Sequence, residues 1–257
     1  MIRRLPQYAG SFYPEDRKEL MEMLDFFFKE VAPINIDHRP RALIVPHAGY
    51  IYSGQTAAYG YKAIKDFSYK RIIILGPSHH FYFKGLASCP PSIWETPLGK
   101  SEARDLNELL EHQILVSEAA HFEEHSLEVQ LPFLQYLGHK FILYPALIGE
   151  ASYEDITRIL EPAIDENTLL IISSDLSHYL KEADARRQDK ITLDALLDND
   201  IESFWKVGDA CGKIGIAALM KISLKRKWQP QLLFYTTSAQ ASANKEAVVG
   251  YASVLYQ

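Results

Sequence analysis

Apolar residues fall along this chain in two alternating rhythms. Short, nearly unbroken apolar runs stand at 42–45, 72–75, 141–147, 169–173, 232–236 and 247–255. Runs of this length without polar interruption are what a strand needs when both of its faces are buried. Between them lie patterns of helical period, near 101–117, 126–137, 152–165, 181–197 and 213–224. Ahead of the first run, Pro14-Glu15-Asp16 opens an amphipathic pattern that puts Leu20, Leu24, Phe27 and Val31 on one face, with acids in its first turn. Pro162 is expected to end or kink the helix it interrupts. The runs at 42–45 and 72–75, separated by a helical stretch, predict a parallel pair. The alternation predicts an α/β fold, a three-layer α/β/α sandwich with a mostly parallel central sheet. No repeat, low-complexity tract or linker divides the chain, so residues 1–257 are expected to form one domain.

Composition narrows the function classes. With 47% hydrophobic and 23% charged residues, no segment is too polar to bury a core. The net charge is −6, from 27 basic and 33 acidic residues, and the basic ones are scattered, so nucleic acid is not expected as a partner. No apolar run approaches the roughly 20 residues of a membrane span. After Arg3 and Arg4, Pro6, Gln7 and Tyr8 stand where a signal peptide would place its apolar stretch, which predicts a cytoplasmic protein. Cys89 and Cys211 have no CxxC spacing and are read as reduced packing cysteines. The aromatic content leaves a homo-oligomer open.

In open α/β sheets, ligands bind outside the carboxyl ends of the strands. Three predicted strands are followed there by histidine: Pro46-His47-Ala48-Gly49-Tyr50, Gly76-Pro77-Ser78-His79-His80 and Ser173-Ser174-Asp175-Leu176-Ser177-His178. Imidazoles arriving from separate loops can approach a divalent metal from separate directions, which makes His47 and His79 a candidate metal pair. His178 has Asp175 three residues before it, a carboxylate that can orient an imidazole for proton transfer. The alternative is that Asp175 caps a helix and His178 lies in its first turn. Tyr50, His80 and His125 are the expected substrate contacts. For His125, within His121-Phe122-Glu123-Glu124-His125-Ser126-Leu127-Glu128, the competing account is that the acids cap the helix that follows.

Taken together these segments resemble the Memo family, also called AmmeMemoRadiSam system protein B, which is related in fold to the class III extradiol dioxygenases. The likeness rests on Tyr8-Ala9-Gly10-Ser11-Phe12-Tyr13-Pro14, on the three histidine segments, on Thr96-Pro97-Leu98-Gly99, on Glu124-His125-Ser126-Leu127-Glu128 and on Gly250-Tyr251-Ala252-Ser253. It implies a metal pocket using His47 and His79, with His178 at the position of the dioxygenases' acid/base histidine. Where some members carry a cysteine ligand, this chain has Ala241, which cannot bind metal. Cys211-Gly212 resembles a different Cys-Gly pair of the family and receives no ligand role. Glu246 is the carboxylate expected to complete a two-histidine, one-carboxylate face of the non-haem iron(II) type.

Three functions follow. The first is an oxidoreductase of the dioxygenase type, with iron(II) or another divalent metal, copper and zinc included, acting on a small organic substrate while His178 moves the proton. Its resemblance implies a radical SAM protein and an AMMECR-type protein as partners. The second is a zinc-type hydrolase with His178 or Asp175 as base. The third is a scaffold that uses the same pocket to bind a peptide or an anion.

Overall fold

The unbroken apolar runs become the centre of one mixed sheet in the computed structural model, which describes residues 2–257. In chain order the strands are β1 (Ile2–Arg4), β2 (Ala42–Val45), β3 (Arg71–Pro77), β4 (Leu86–Ser88), β5 (Ser92–Thr96), β6 (Gly99–Ala103), β7 (Leu115–Val116), β8 (Ile142–Ile148), β9 (Thr168–Ser173), β10 (His178–Leu180), β11 (Pro230–Thr237) and β12 (Val248–Tyr256). The helices are α1 (Arg17–Glu30), α2 (Tyr50–Ile64), α3 (Glu118–Phe122), α4 (Leu131–Tyr136), α5 (Tyr153–Leu160), α6 (Glu182–Leu197), α7 (Ile201–Val207), α8 (Lys213–Arg226) and α9 (Ala239–Ser242). The main path through the sheet runs β1-β5-β6-β8-β3-β9-β2-β12-β10.

Continuous apolarity reflects burial on both faces. Leu43 and Val45 of β2 join the core built with α1, α2 and α4, whereas Ala42 and Ile44 join the core built with α5, α6, α7 and α8. The same alternation holds in β3 and β9, where Ile72, Ile74, Leu169 and Ile171 face one layer and Ile73, Leu75, Leu170 and Ile172 the other. Helix α1 starts at its Asp16 cap, whose carboxylate accepts from the Lys18 and Glu19 amides, and buries Leu20, Leu24 and Phe27.

The middle of the sheet is parallel, through β8, β3, β9 and β2, and β6 with β8 and β1 with β5 also pair parallel. Strands β11 and β12 form an antiparallel hairpin beside β2, and β5 pairs antiparallel with β6, so the expected parallel centre is extended by antiparallel pairings within an α/β sandwich. The helical pattern near 101–117 is corrected. That stretch holds the end of β6, a 3-10 turn at Leu106–Leu109 and β7. In β6, Ser101 and Ala103 are buried while Lys100 points out, a period of two set by pairing with β5. Gly99, at φ +148°, supplies the turn that makes the hairpin. Helix α5 ends at Leu160 and Pro162 sits in the 3-10 turn that follows. Helix α7, which no sequence pattern marked, packs against α6 and α8. Among the described residues no helix is long and apolar enough to cross a membrane.

Candidate metal centre

Strand β9 lies between β2 and β3, and all three run parallel, so the residues beyond their carboxyl ends emerge side by side. His47 and His79 each follow their strand by two residues, as does Asp175. Asp175 Oδ1 accepts the backbone N–H of His47 at 2.8 Å and ties the first loop to the third.

A third imidazole comes from the segment before α4. A side chain at Gly76 would collide with Ser126 Oγ, so bare backbone near the end of β3 lets that segment press against the sheet. It delivers His125 beside both His47 and His79. The ring centroids are 5.3 Å apart for His47 and His125, 4.8 Å for His79 and His125, and 5.3 Å for His47 and His79. One ligand atom from each of the three lies within 4.8 Å of the others. Phe12 and Tyr8 pack on the His125 ring at 4.8 and 5.6 Å and wall off one side. The Arg4–Glu128 ion pair, with Tyr13 Oη donating to Glu128, anchors the segment that carries these aromatics.

Hydrogen bonds settle which ring nitrogens are free. Ser173 Oγ donates its only proton to the Ser126 carbonyl at 2.6 Å, so it accepts from Gln130 Nε2 at 2.8 Å and from His47 Nδ1–H at 3.0 Å. The His47 Nε2 lone pair is left for a ligand. Glu124, 2% exposed, accepts the His79 backbone N–H at 2.7 Å and the His79 ring Nδ1–H at 3.0 Å. It also accepts the Ser126 N–H at 2.8 Å, and its Oε1 lies 3.4 Å from His125 Nδ1. The carboxylate thus orients His79 and lies beside His125, and a carboxylate behind a metal-binding histidine is a common arrangement.

Burial sets the charge states. Desolvation, reinforced by the neighbouring His79, pushes the His47 imidazole down to about 3, and desolvation with His47 nearby takes His125 down to about 4. Burial favours a neutral Glu124, but its hydrogen bonds to His79 and Ser126 and the His79 charge outweigh this and hold the carboxyl at about 2. At neutral pH the centre therefore offers unprotonated His47 and His125 imidazoles beside an anionic carboxylate, a donor set that fits a divalent cation. Burial pushes Asp175 up to about 6 against its bond from the His47 amide and the charge of His178.

Several expectations are corrected. Glu246 does not complete the site: its side chain is 77% exposed and pairs with Lys181 at 3.1 Å. Tyr50 is no substrate contact, since it is 2% exposed at the start of α2 and its hydroxyl donates to the Val129 carbonyl. Asp175 serves His47 and forms no hydrogen bond with His178 among the described residues, nor does it cap a helix, because His178 begins β10. A bulge in the β10–β12 pairing and a left-handed Tyr179, φ +58°, aim this short strand and leave His178 half-buried. His80 stands exposed on the rim, 6.4 Å from the His125 ring. Ala241 sits exposed in α9.

The Memo-like protein family matches residues 4–255. The chain belongs to the Memo family. A MEMO1 family protein of Thermoplasma volcanium is 35% identical to it over 268 residues, covering 99% of this chain and 98% of the relative. One from Nitrosopumilus maritimus is 36% identical over 276 residues, with both chains covered entirely, and one from Aquifex aeolicus is 34% identical with 98% of each covered. The match to the Memo family takes in every segment that lines the histidine centre. Sequence reasoning singled out His47 and His79 by their place after strands, read His125 as a substrate contact and gave Glu124 no part. The available signal was the run of ionisable residues at 121–128, too many for a helix cap alone.

Proposed function

We propose that this Memo-family protein is a metal-dependent oxidoreductase of the dioxygenase type that uses iron(II) on a small organic substrate. The reading is supported by three imidazoles from three separate segments whose ligand atoms lie within 4.8 Å of one another. A divalent metal there supplies Lewis acidity and, as iron(II), redox chemistry with dioxygen. His47, His79 and His125 would hold it, with Glu124 fixing the orientation of His79 and Ser173 that of His47 from behind. Three protein ligands leave coordination positions for reactants.

The chain's own residues supply the rest. His178, whose charge is felt by both His47 and Asp175, holds or moves the substrate proton. Asp175, raised to about 6, takes up or releases a proton close to neutral pH. Phe12 and Tyr8 keep water from one side of His125, and His80 meets substrate at the rim. The radical SAM and AMMECR-type proteins implied by the resemblance would act with it in the cytoplasm.

One observation favours a second reading. A three-histidine donor set also suits zinc, which lowers the pKa of bound water and supports hydrolysis. The test is to load metal-stripped protein anaerobically with iron(II) or zinc(II), then add a panel of small organic substrates and dioxygen. Substrate-dependent oxygen uptake by the iron form that is lost in His178→Ala supports the oxidoreductase. Turnover by the zinc form without oxygen uptake establishes the hydrolase, and failure to bind either metal leaves the pocket as a recognition site.

A further inference from the structure

Cys211 stands at the entry to α8, one residue before the Gly212 that caps it. Its Sγ lies 3.3 Å from His47 Nε2. The His47 Nδ1–H is already given to Ser173, so this contact is a thiol S–H donated to the one free lone pair of the imidazole. A nitrogen and a sulfur bound to one tetrahedral ion, at about 2.0 and 2.3 Å, stand about 3.5 Å apart. The separation from His47 is therefore close to that of two ligands sharing a metal, while Sγ lies outside the group of three imidazoles and must draw in toward His79 and His125 on binding.

We infer that Cys211 is a fourth ligand of this centre, binding as a thiolate to the same divalent metal as His47. The inference rests on the reading that the histidine centre binds metal. Several contacts prepare the sulfur for that role. The Asp175 N–H donates to Sγ at 3.2 Å, and the Cys211 N–H donates back to the Asp175 carbonyl at 3.2 Å. Gly212 N–H donates to Ser174 Oγ at 2.9 Å, which pins the turn. Burial and the neighbouring Asp175 push the free thiol up to about 12, so Cys211 is protonated without metal, and the backbone donor and helix N-terminus favour the anion once a cation is bound.

On binding, the S–H bond breaks, the proton leaves to solvent, and a sulfur–metal bond replaces the S–H···N contact. No electron is transferred. Cys89 has none of these features, being buried in the core with Ser92 Oγ as its neighbour, and there the packing role holds. The alanine at 241 thus leaves the centre with sulfur, supplied from a different element. A thiolate among imidazoles moves metal preference toward softer ions than an all-nitrogen, oxygen site would take.

The test is an anaerobic cobalt(II) titration of the reduced, metal-stripped full chain, followed by absorbance and proton release. The expected result is a near-ultraviolet sulfur-to-cobalt charge-transfer band saturating at one equivalent, with about one proton released per cobalt. The band should be lost in Cys211→Ser and kept in Cys89→Ser, with circular dichroism confirming that both variants are folded. Visible cobalt bands without the charge-transfer band would overturn the cysteine ligand while leaving the histidine centre intact. A charge-transfer band that survives in Cys211→Ser would overturn it as well. No bound cobalt in any protein would remove both the ligand and the metal reading on which it rests.

Discussion

Glu124 grips His79 at two points, taking the backbone N–H on Oε2 at 2.7 Å and the ring Nδ1–H on Oε1 at 3.0 Å. That double contact fixes both where the loop lies and which way the imidazole turns. Glu124→Gln keeps the shape but loses the anion, and its amide nitrogen cannot accept. The expected result is a fall in metal affinity of about 10- to 100-fold, as outer-shell partners usually give. Calorimetric titration of the folded variant checks it, and unchanged affinity would show that Glu124 is structural only.

Ser173 is the junction for His47, Gln130 and the Ser126 carbonyl, all inside the core. Ser173→Ala strands two buried donors and one acceptor, and the expected loss is about 1–3 kcal/mol of stability. Metal affinity should fall with it, because the His47 tautomer is no longer enforced. Urea unfolding of the metal-free variant reads the first effect and titration the second.

Glu246→Ala should change neither. Its exposed pair with Lys181 belongs to a class worth at most about 1 kcal/mol, and its carboxylate points to solvent. A clear loss of metal affinity in this variant would restore the carboxylate ligand expected from the sequence.

Metal-free protein should lose stability as pH falls from 7 toward 5. Burial pushes His47 down to about 3 and His125 to about 4, so the native state resists protons that the unfolded chain binds below its ordinary value near 6.5. The stability these two contribute is complete above that value and declines below it, by about 2 kcal/mol per imidazole near pH 5. Asp175, pushed up to about 6 by burial, works in the opposite sense and recovers part of the loss over the same window. Two imidazoles outweigh one carboxyl, so urea midpoints should drop from pH 7 to pH 5, and His125→Gln should flatten the slope. A flat profile in the parent protein would mean that the imidazoles are not held neutral.

The parts of this account that were legible in the sequence are those governed by period and strand ends. Runs such as 72–75 and 169–173 specified buried strands, and the rule that ligands gather beyond strand ends picked out His47 and His79. Segments governed by pairing were not legible. Whether 101–103 forms helix or strand depends on β5 alongside it, and the role of His125 depends on Gly76 leaving room for Ser126. Glu246 failed for the reason that sequence distance from the cleft says nothing about side-chain direction at the entry to β12. Cys211 carried no local signal either, since its contact with His47 depends on how the turn leading into α8 packs.

The most direct test is anaerobic iron(II) titration of the metal-stripped protein alongside His47→Ala, His79→Ala, His125→Ala and His178→Ala. One iron per chain is predicted, lost in each of the first three variants and kept in His178→Ala, with all four folded. Stoichiometric iron in His125→Ala would contradict the three-histidine centre, and loss in His178→Ala would make that residue a ligand instead of the proton carrier.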